Sequence, residues 1–586
     1  MKNFFSTLVA VIIGGVLLMC MPFLLLIIIG LTSSNDNTVT VKDNSVIVFD
    51  LTNSVSERAF DDPMASINAV MGGNVKTTVG MNDIIKAIDN AATDDKIKGI
   101  YLTGSTCNAY YENIAEIRPH LAKFHESGKF IYFYDTSIDQ SSLYMASVAD
   151  SIFVMPEGAV SLSGLAATIP FFKNACEKWG VDIQIIRHGK YKSAVEPFLM
   201  DHMSDASKEQ TKRYLGVIWD EICKGIAEGR NLTTDDVNEY TNRLNYTTTQ
   251  DAIEAKLIDG TMYKDEYISF LKQKLNVKES DDIEAIDINK YAKSCNNDVN
   301  NDSENTIAVI YANGEIYNGS NESDYNNVYG NDLSYTIRQA RRDDKVKAIV
   351  LRVNSPGGAV DASEIIWREV KIAAETKPVI VSMGSYAASG GYYISCASSH
   401  IFAENNTITG SIGIFGTIPC VKRAANSLGV TFDAVYTNND MLTSFEPLND
   451  VQKTYMQEFI EHGYATFTKR VADGRGLSVE HVDSIGQGRV WAGADAINIG
   501  LVDEIGSLED AINYAADKAG LDNYKLKSLP EIEDSFTLMM KKMGMNAKAF
   551  VGESLFGEDY KMVEKIKSQI DEPTVQARME YDIILK

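Results

Sequence analysis

The sequence predicts an α/β protein made of two tandem copies of one unit, each a parallel sheet flanked by helices, after a transmembrane helix at the N-terminus. The segment DDKIKGIYL at Asp94 returns as DDKVKAIVL at Asp343, and the same offset of 249 residues carries LYMASVADSIFV from Leu143 onto YYISCASSHIFA from Tyr392. Within a copy, β-branched runs alternate with helical patterns (KAIVLRV, SEIIWREVKIAAE, PVIVSMG, GGYYISCAS), which is the order of parallel β-α-β units. Residues 4–31 run without a charge, longer than the roughly 20 apolar residues that cross a bilayer.

The N-terminal run exits through TSSNDN with no A-x-A-like site, so it reads as a retained anchor rather than a cleaved signal peptide. Lys2 precedes it and Asp36 follows it, which by the positive-inside rule puts the bulk of the chain outside the cytoplasm. Cys20 follows LLM rather than small residues and does not read as a lipidation site. The first repeat continues through VSLSGL at Val160, roughly in step with ITGSIG at Ile408, and through QDAIEAKLIDG, echoed by ADAINIGLVDEIG around Ala496. A polar, turn-rich run, NNDVNNDSEN at 296–305, separates the copies. From Ser535 onward, Met, Phe and Leu recur at helical spacing beside lysines. The expected division is therefore an anchor at 1–33, repeats at 34–300 and 301–525, and a helical extension at 526–586.

A formal charge of −25 argues against a nucleic-acid partner. The seven cysteines, Cys20, Cys107, Cys176, Cys223, Cys295, Cys396 and Cys420, form no C-x-x-C pair. No H-E-x-x-H occurs, and His188, His202 and His400 sit singly. Neither a metal nor a cofactor is expected.

The repeats differ where chemistry would need them to differ. Ser389 precedes two glycines after an apolar strand, and the repeat offset puts Gln140 in its place in the first copy. Conversely, RHGKYKSAVEPF carries Lys192, whereas YTNNDMLTSFEPL in the second copy has Met441 or Leu442 there, depending on a one-residue gap. A serine found only in one copy and a lysine only in the other are what a site assembled between two repeats would leave. A serine hydroxyl is a poor nucleophile until a base takes its proton, and only a neutral lysine can do so. Moving a lysine from its ordinary pKa of about 10.4 to neutrality requires roughly 4 kcal/mol of desolvation or repulsion, which burial between domains can supply. Gly357 and Gly358 follow a strand in LRVNSPGGAVDASEIIW, and Gly390 follows the serine, so Gly358 and Gly390 can offer backbone N–H groups to a developing oxyanion. The first copy reads LTGSTCNAY at that turn and lacks it.

Five motifs in order, YKSAVEPF at Tyr191, VNSPGG at Val353, AASGGYYI at Ala387, TGSIGIFG at Thr409 and GRVWAGADAINIGLVDEIG at Gly488, resemble the bacterial signal peptide peptidase A (protease IV) family in its long, two-repeat, membrane-anchored form. The resemblance spans nearly the whole chain. It implies tandem crotonase-like (Clp-protease-like) repeats and a serine peptidase in which Ser389 attacks and Lys192 is the general base. It further implies Ser411 as the hydroxyl that orients the lysine, although Ser163 in LSGL sits near the corresponding place in the first copy. Remnant signal peptides and other short apolar peptides are the implied substrates. A homotetramer on the periplasmic side of the bacterial inner membrane, anchored in the bilayer by a single span, is the implied setting. Two other classes compete: an acyl-thioester enzyme of the crotonase superfamily, which needs no nucleophilic serine, and a noncatalytic membrane scaffold, which would have damaged motifs. Gln140, His188 and His202 are expected to be dispensable for cleavage.

Overall fold

The computed structural model describes residues 40–59, 78–243, 248–295, 303–321, 323–438 and 444–533, together with the strand Val575–Arg578. The apolar run at 4–31, Met441 and Leu442, and the helical pattern from Ser535 to residue 570 lie outside them. Among the described residues no helix is long and apolar enough to cross a membrane.

Two sheets share one parallel strand order, and the second adds Ile408–Gly410 beside Val379–Ala388 and, antiparallel to Ile408–Gly410, Val490–Ala492. In the first repeat the shared order is Gly260–Thr261, Ser151–Val154, Phe130–Asp135, Ile97–Thr103, Ser45–Asp50, Ala285–Asp287. In the second it is Glu504–Ile505, His400–Ala403, Val379–Ala388, Val346–Ser355, Thr306–Asn313, Lys525–Leu529. Central strands such as VKAIVLRVNS are nearly continuous apolar runs because helices cover both faces of a parallel sheet. The repeat extends to matching small pairings. Ile138 pairs with Val160 in the first copy as Ala387 pairs with Thr409 in the second. Each copy also carries a helix of 26 residues, Asp205–Arg230 and Asp450–Arg475, capped by Ser204 and Asn449 and stopped by left-handed Asn231 and Gly476. The α/β duplication expected from the sequence is thus present strand for strand.

A third sheet joins the copies. Asp182–Arg187 of the first repeat pairs antiparallel with Phe415–Cys420 of the second, Arg187 opposite Phe415. The sheet continues through Val575–Arg578 to Gly357–Ala359, then Ile316–Tyr317 and Val328–Tyr329. The first repeat's apolar core, with Ile47, Ile100, Phe133 and Ile152, also takes in Ala388, Ile408, Val490 and Ala492 from the second. Burying Ile408 and Val490 contributes roughly 1.5–3 kcal/mol each, so this contact between the copies is apolar, while the second repeat keeps a core of its own around Ile310, Leu351, Val381 and Ile401.

Candidate active site

The strand Val379–Ala388 runs into a sharp turn and the short helix Gly390–Ser395, with Ser389 between them. Ser389 has φ 56° and ψ −114°, a left-handed conformation that costs a non-glycine residue about 1–3 kcal/mol. Its neighbours hold it there. The Ser389 N–H donates to the Gly410 carbonyl at 2.8 Å, and its own carbonyl accepts the Tyr393 N–H at 2.8 Å. A Cβ at Gly391 would come within 2.5 Å of the Ser355 carbonyl, so glycine lets the helix start lie against the neighbouring strand end.

Lys192 reaches this serine from the other repeat. Antiparallel pairing carries Arg187 to Phe415, and the chain then turns through HGKYK, with the Tyr191 N–H donating to the Gln487 carbonyl at 3.0 Å. The Lys192 side chain is completely buried, and its Nζ lies 2.9 Å from Ser389 Oγ, 2.9 Å from Ser411 Oγ and 3.2 Å from the Ser411 carbonyl. Ser411 is itself left-handed at φ 50°, fixed by its N–H on the Arg489 carbonyl at 2.7 Å. The serine, the lysine and Ser411 singled out from the sequence therefore meet at one point. His188 and His202 do not. His188 stacks on Tyr464 and pairs with Glu461, and His202 pairs with Asp201.

Gly357–Ala359 forms a short strand immediately after Val346–Ser355. A Cβ at Gly358 would sit 2.0 Å from the Ile316 carbonyl, so only glycine permits this approach. Gly390 opens the helix after Ser389.

The first repeat has ordinary packing at the corresponding positions. Gln140 is buried; its amide donates to the Tyr111 hydroxyl at 2.8 Å and the Gly164 carbonyl at 3.1 Å, while its Oε1 accepts the N–H groups of Ser163 and Gly164. Asp139 pairs with Ser161 as Ala388 pairs with Gly410, which makes buried Leu162, and not Ser163, the counterpart of Ser411. The hydroxyl next to the lysine is thus a property of the second repeat alone.

Several supporting residues escaped the sequence reading. A Cβ at Gly488, whose φ is 79°, would fall 2.6 Å from Lys192 Cβ, and one at Gly413 would meet Lys192 Cδ at 3.3 Å. The two glycines bracket the lysine stem. Gln210 donates to the Tyr191 carbonyl and to Ser193 Oγ and accepts the Val490 N–H, tying both sides of the lysine turn to the helix Asp205–Arg230. Gly488→Ala is expected to push Lys192 aside. A displacement near 1 Å at a reacting group costs about a hundredfold in rate, so kcat should fall by that order. Steady-state kinetics on the folded variant checks it.

The family model for peptidase family S49 matches residues 123–278 and 371–522, once in each repeat. Protease 4 of Salmonella typhi is 36% identical over 492 residues, covering 81% of this chain and 77% of that protein. Protease 4 of Haemophilus influenzae is 35% identical over 513 residues, with 84% and 82% covered. The chloroplastic serine protease SPPA of Arabidopsis thaliana is 32% identical over 501 residues, with 84% and 72% covered. Among solved structures, a ClpP1 from Listeria monocytogenes aligns with 35% of this chain and 94% of its own at TM-score 0.24 and 18% identity.

Proposed function

We propose, from the premise that this chain belongs to peptidase family S49, that Ser389 and Lys192 form a nucleophile and base shared between its two repeats. The chain is a serine peptidase. That class displaces both the acyl-thioester enzyme and the noncatalytic scaffold as readings of the duplicated fold. The observation that carries the dyad is the 2.9 Å contact between Lys192 Nζ and Ser389 Oγ, both fully buried and 197 residues apart in sequence.

A lysine acts as a base only in its neutral form, and burial disfavours the charged form of an amine in general. Neutral Nζ accepts the Ser389 hydroxyl proton as Oγ attacks the peptide carbonyl. The N–H groups of Gly358 and Gly390 stabilise the resulting oxyanion. The lysine, now an ammonium held by the Ser411 hydroxyl and carbonyl, passes its proton to the leaving amine. Loss of that amine leaves an acyl-serine, and the same nitrogen then draws a proton from the water that hydrolyses it.

Peptides are the substrates of this class. An extended peptide fits between Gly357–Ala359 and Phe415 because the chain's own strand Val575–Arg578 pairs antiparallel with both, Ala577 opposite Gly358 and Gln576 opposite Phe415. The finer reading is of remnant signal peptides and other short apolar peptides, cleaved by a periplasmic enzyme anchored in the bacterial inner membrane by residues 4–31. Its support is the uncharged N-terminal run. Self-association, proposed as a tetramer, is favoured by Val451, Tyr455 and Phe459, which are exposed along one face of Asp450–Arg475. The proposed division of labour follows the boundaries 34–300 for the base and 301–525 for the nucleophile, with 1–33 as anchor and 526–586 as extension.

The test is hydrolysis of a synthetic apolar signal-peptide sequence by the detergent-solubilised chain, with Gln140→Ala as the control. Both should cleave it. The control is expected to melt earlier, because among its four lost hydrogen bonds the one to the buried Tyr111 hydroxyl leaves that group unpaired at about 1–3 kcal/mol. A folded wild-type chain that leaves this peptide intact would contradict the substrate class.

A further inference from the structure

Three glutamates of the first repeat converge on one arginine of the second. Arg352, on Val346–Ser355, is buried, as are Glu57, Glu112 and Glu116. Its Nε donates to Glu57 Oε2 at 2.8 Å, and its Nη2 to Glu57 Oε1 at 3.1 Å, Glu112 Oε1 at 3.0 Å and Glu116 Oε2 at 2.9 Å. Nη1 donates to Ser382 Oγ at 2.9 Å. One guanidinium cannot neutralise three carboxylates, and two uncompensated negative charges in a dry interior are costly. A proton on Glu112 would relieve part of that cost.

The cluster also grips the two strands that end in the candidate site. Ser385, on Val379–Ala388 four residues before Ser389, donates its hydroxyl to Glu112 Oε2 at 2.8 Å. Asn354, just before the Ser355 to Gly358 turn, donates to Glu57 Oε1 at 3.1 Å and accepts the Tyr386 N–H at 3.1 Å. Glu116 Oε1 accepts the Leu508 N–H at 3.0 Å. A Cβ at Gly384 would approach Glu57 Oε1 to 2.7 Å, so this strand and the carboxylate are in direct contact.

We propose that Arg352 with Glu57, Glu112 and Glu116 is a positioning unit for the peptidase site, and that it works only while Glu112 keeps its proton. Loss of that proton at alkaline pH loosens the strands that lead into Ser389 and Gly358, and the turnover rate falls. The electrostatics agree. Burial holds Glu112 well above the usual carboxylate range, with Arg352 opposing the rise and Glu116 and Glu57 adding to it. Glu404, at the end of His400–Ala403, is pushed up to about 8, first by burial and then by the charge on Glu116. Tyr311, which faces Glu57 and Arg352 from Thr306–Asn313 with Arg58 beside it, is pushed up to about 12, first by burial and then by Glu57. Glu221 and Asp510 add negative charge around Glu404. A carboxyl whose folded pKa is raised stabilises the fold below its unfolded value and loses that contribution as pH rises through the folded value.

The experiment compares kcat, KM and melting temperature from acid to alkaline pH in the full chain, its Glu112→Gln variant and its Ser385→Ala variant. The dyad alone makes kcat rise and level off as Lys192 loses its proton. The cluster adds a fall of about tenfold per pH unit on the alkaline side, with KM unchanged. Glu112→Gln, a neutral isostere of the protonated acid, should move that fall to higher pH and flatten the alkaline decline in melting temperature. Ser385→Ala should lower kcat at every pH without moving the fall. Superimposable pH profiles for wild type and Glu112→Gln would overturn the proposal, as would a Glu112→Gln variant that melts earlier at all pH values. The kinetic half rests on the dyad reading. Failure of that reading would appear as activity in Ser389→Ala, a different outcome from coincident profiles.

Discussion

Lys192→Ala is expected to reduce kcat by about a thousandfold or more while leaving the chain folded, because a positioned general base contributes about a hundred- to ten-thousandfold and its loss also releases Ser389. The structure favours this separation of activity from stability. Removing this fully buried amine relieves its desolvation but takes a partner from the buried Ser389 and Ser411 hydroxyls, so the two effects offset and the melting temperature should change little. Lys192→Arg sharpens the test. Arginine keeps a cation at the position but cannot give up its proton, so it should be as inactive as alanine if Lys192 is a base. Recovery of activity with arginine would mean that the site needs only positive charge there. Peptide hydrolysis rates with circular dichroism on the same samples decide between them.

Ser389→Ala is expected to abolish cleavage altogether. Ser389→Gly should be equally inactive yet more stable than Ser389→Ala, since glycine enters the conformation at φ 56° without a Cβ clash. The gain is of the order of the strain, about 1 kcal/mol, and appears as a higher melting temperature. A glycine variant that melts no later than alanine would remove the strain from the account of this turn.

Much of this site could be read from the sequence because the duplication supplied its own control. KAIVLRV, PVIVSMG and GGYYISCAS coincide with the strand Val346–Ser355, the strand Val379–Ala388 and the helix starting at Gly390, and the offset of 249 residues carries Ile97–Thr103, Phe130–Asp135 and Ser151–Val154 onto Val346–Ser355, Val379–Ala388 and His400–Ala403. Ser389 and Lys192 stood out because each is missing from the other copy, at Gln140 in one case. The antiparallel ribbon that brings them together did not. DIQIIR and FGTIPC are short and separated by more than two hundred residues, and nothing local says that they pair. Gly413 and Gly488 were visible only as motif letters, since their role is the space they leave for a lysine stem distant in sequence.

Glu112 and Glu116 did leave a trace. They are four residues apart on a helix, YENIAEIRPHLAKFHE, whose other buried positions include Ile114, Ile117, Leu121 and Phe124. Carboxylates among Ile114, Ile117, Leu121 and Phe124, on a helix that also buries Asn113, Arg118 and His120, point to buried polar partners. The sequence does not say that this partner is Arg352, because the contact spans the two repeats.

The central claim is that a lysine of the first repeat activates a serine of the second. Its most direct measurement is the rate at which a fluorophosphonate labels the solubilised chain, with the modified residue located by mass spectrometry, in wild type and in Lys192→Ala. The account predicts labelling of Ser389 in wild type, faster as pH rises until Lys192 is neutral, and a loss of about a thousandfold in the variant. Labelling of another residue, or of Ser389 at the same rate without Lys192, would contradict it.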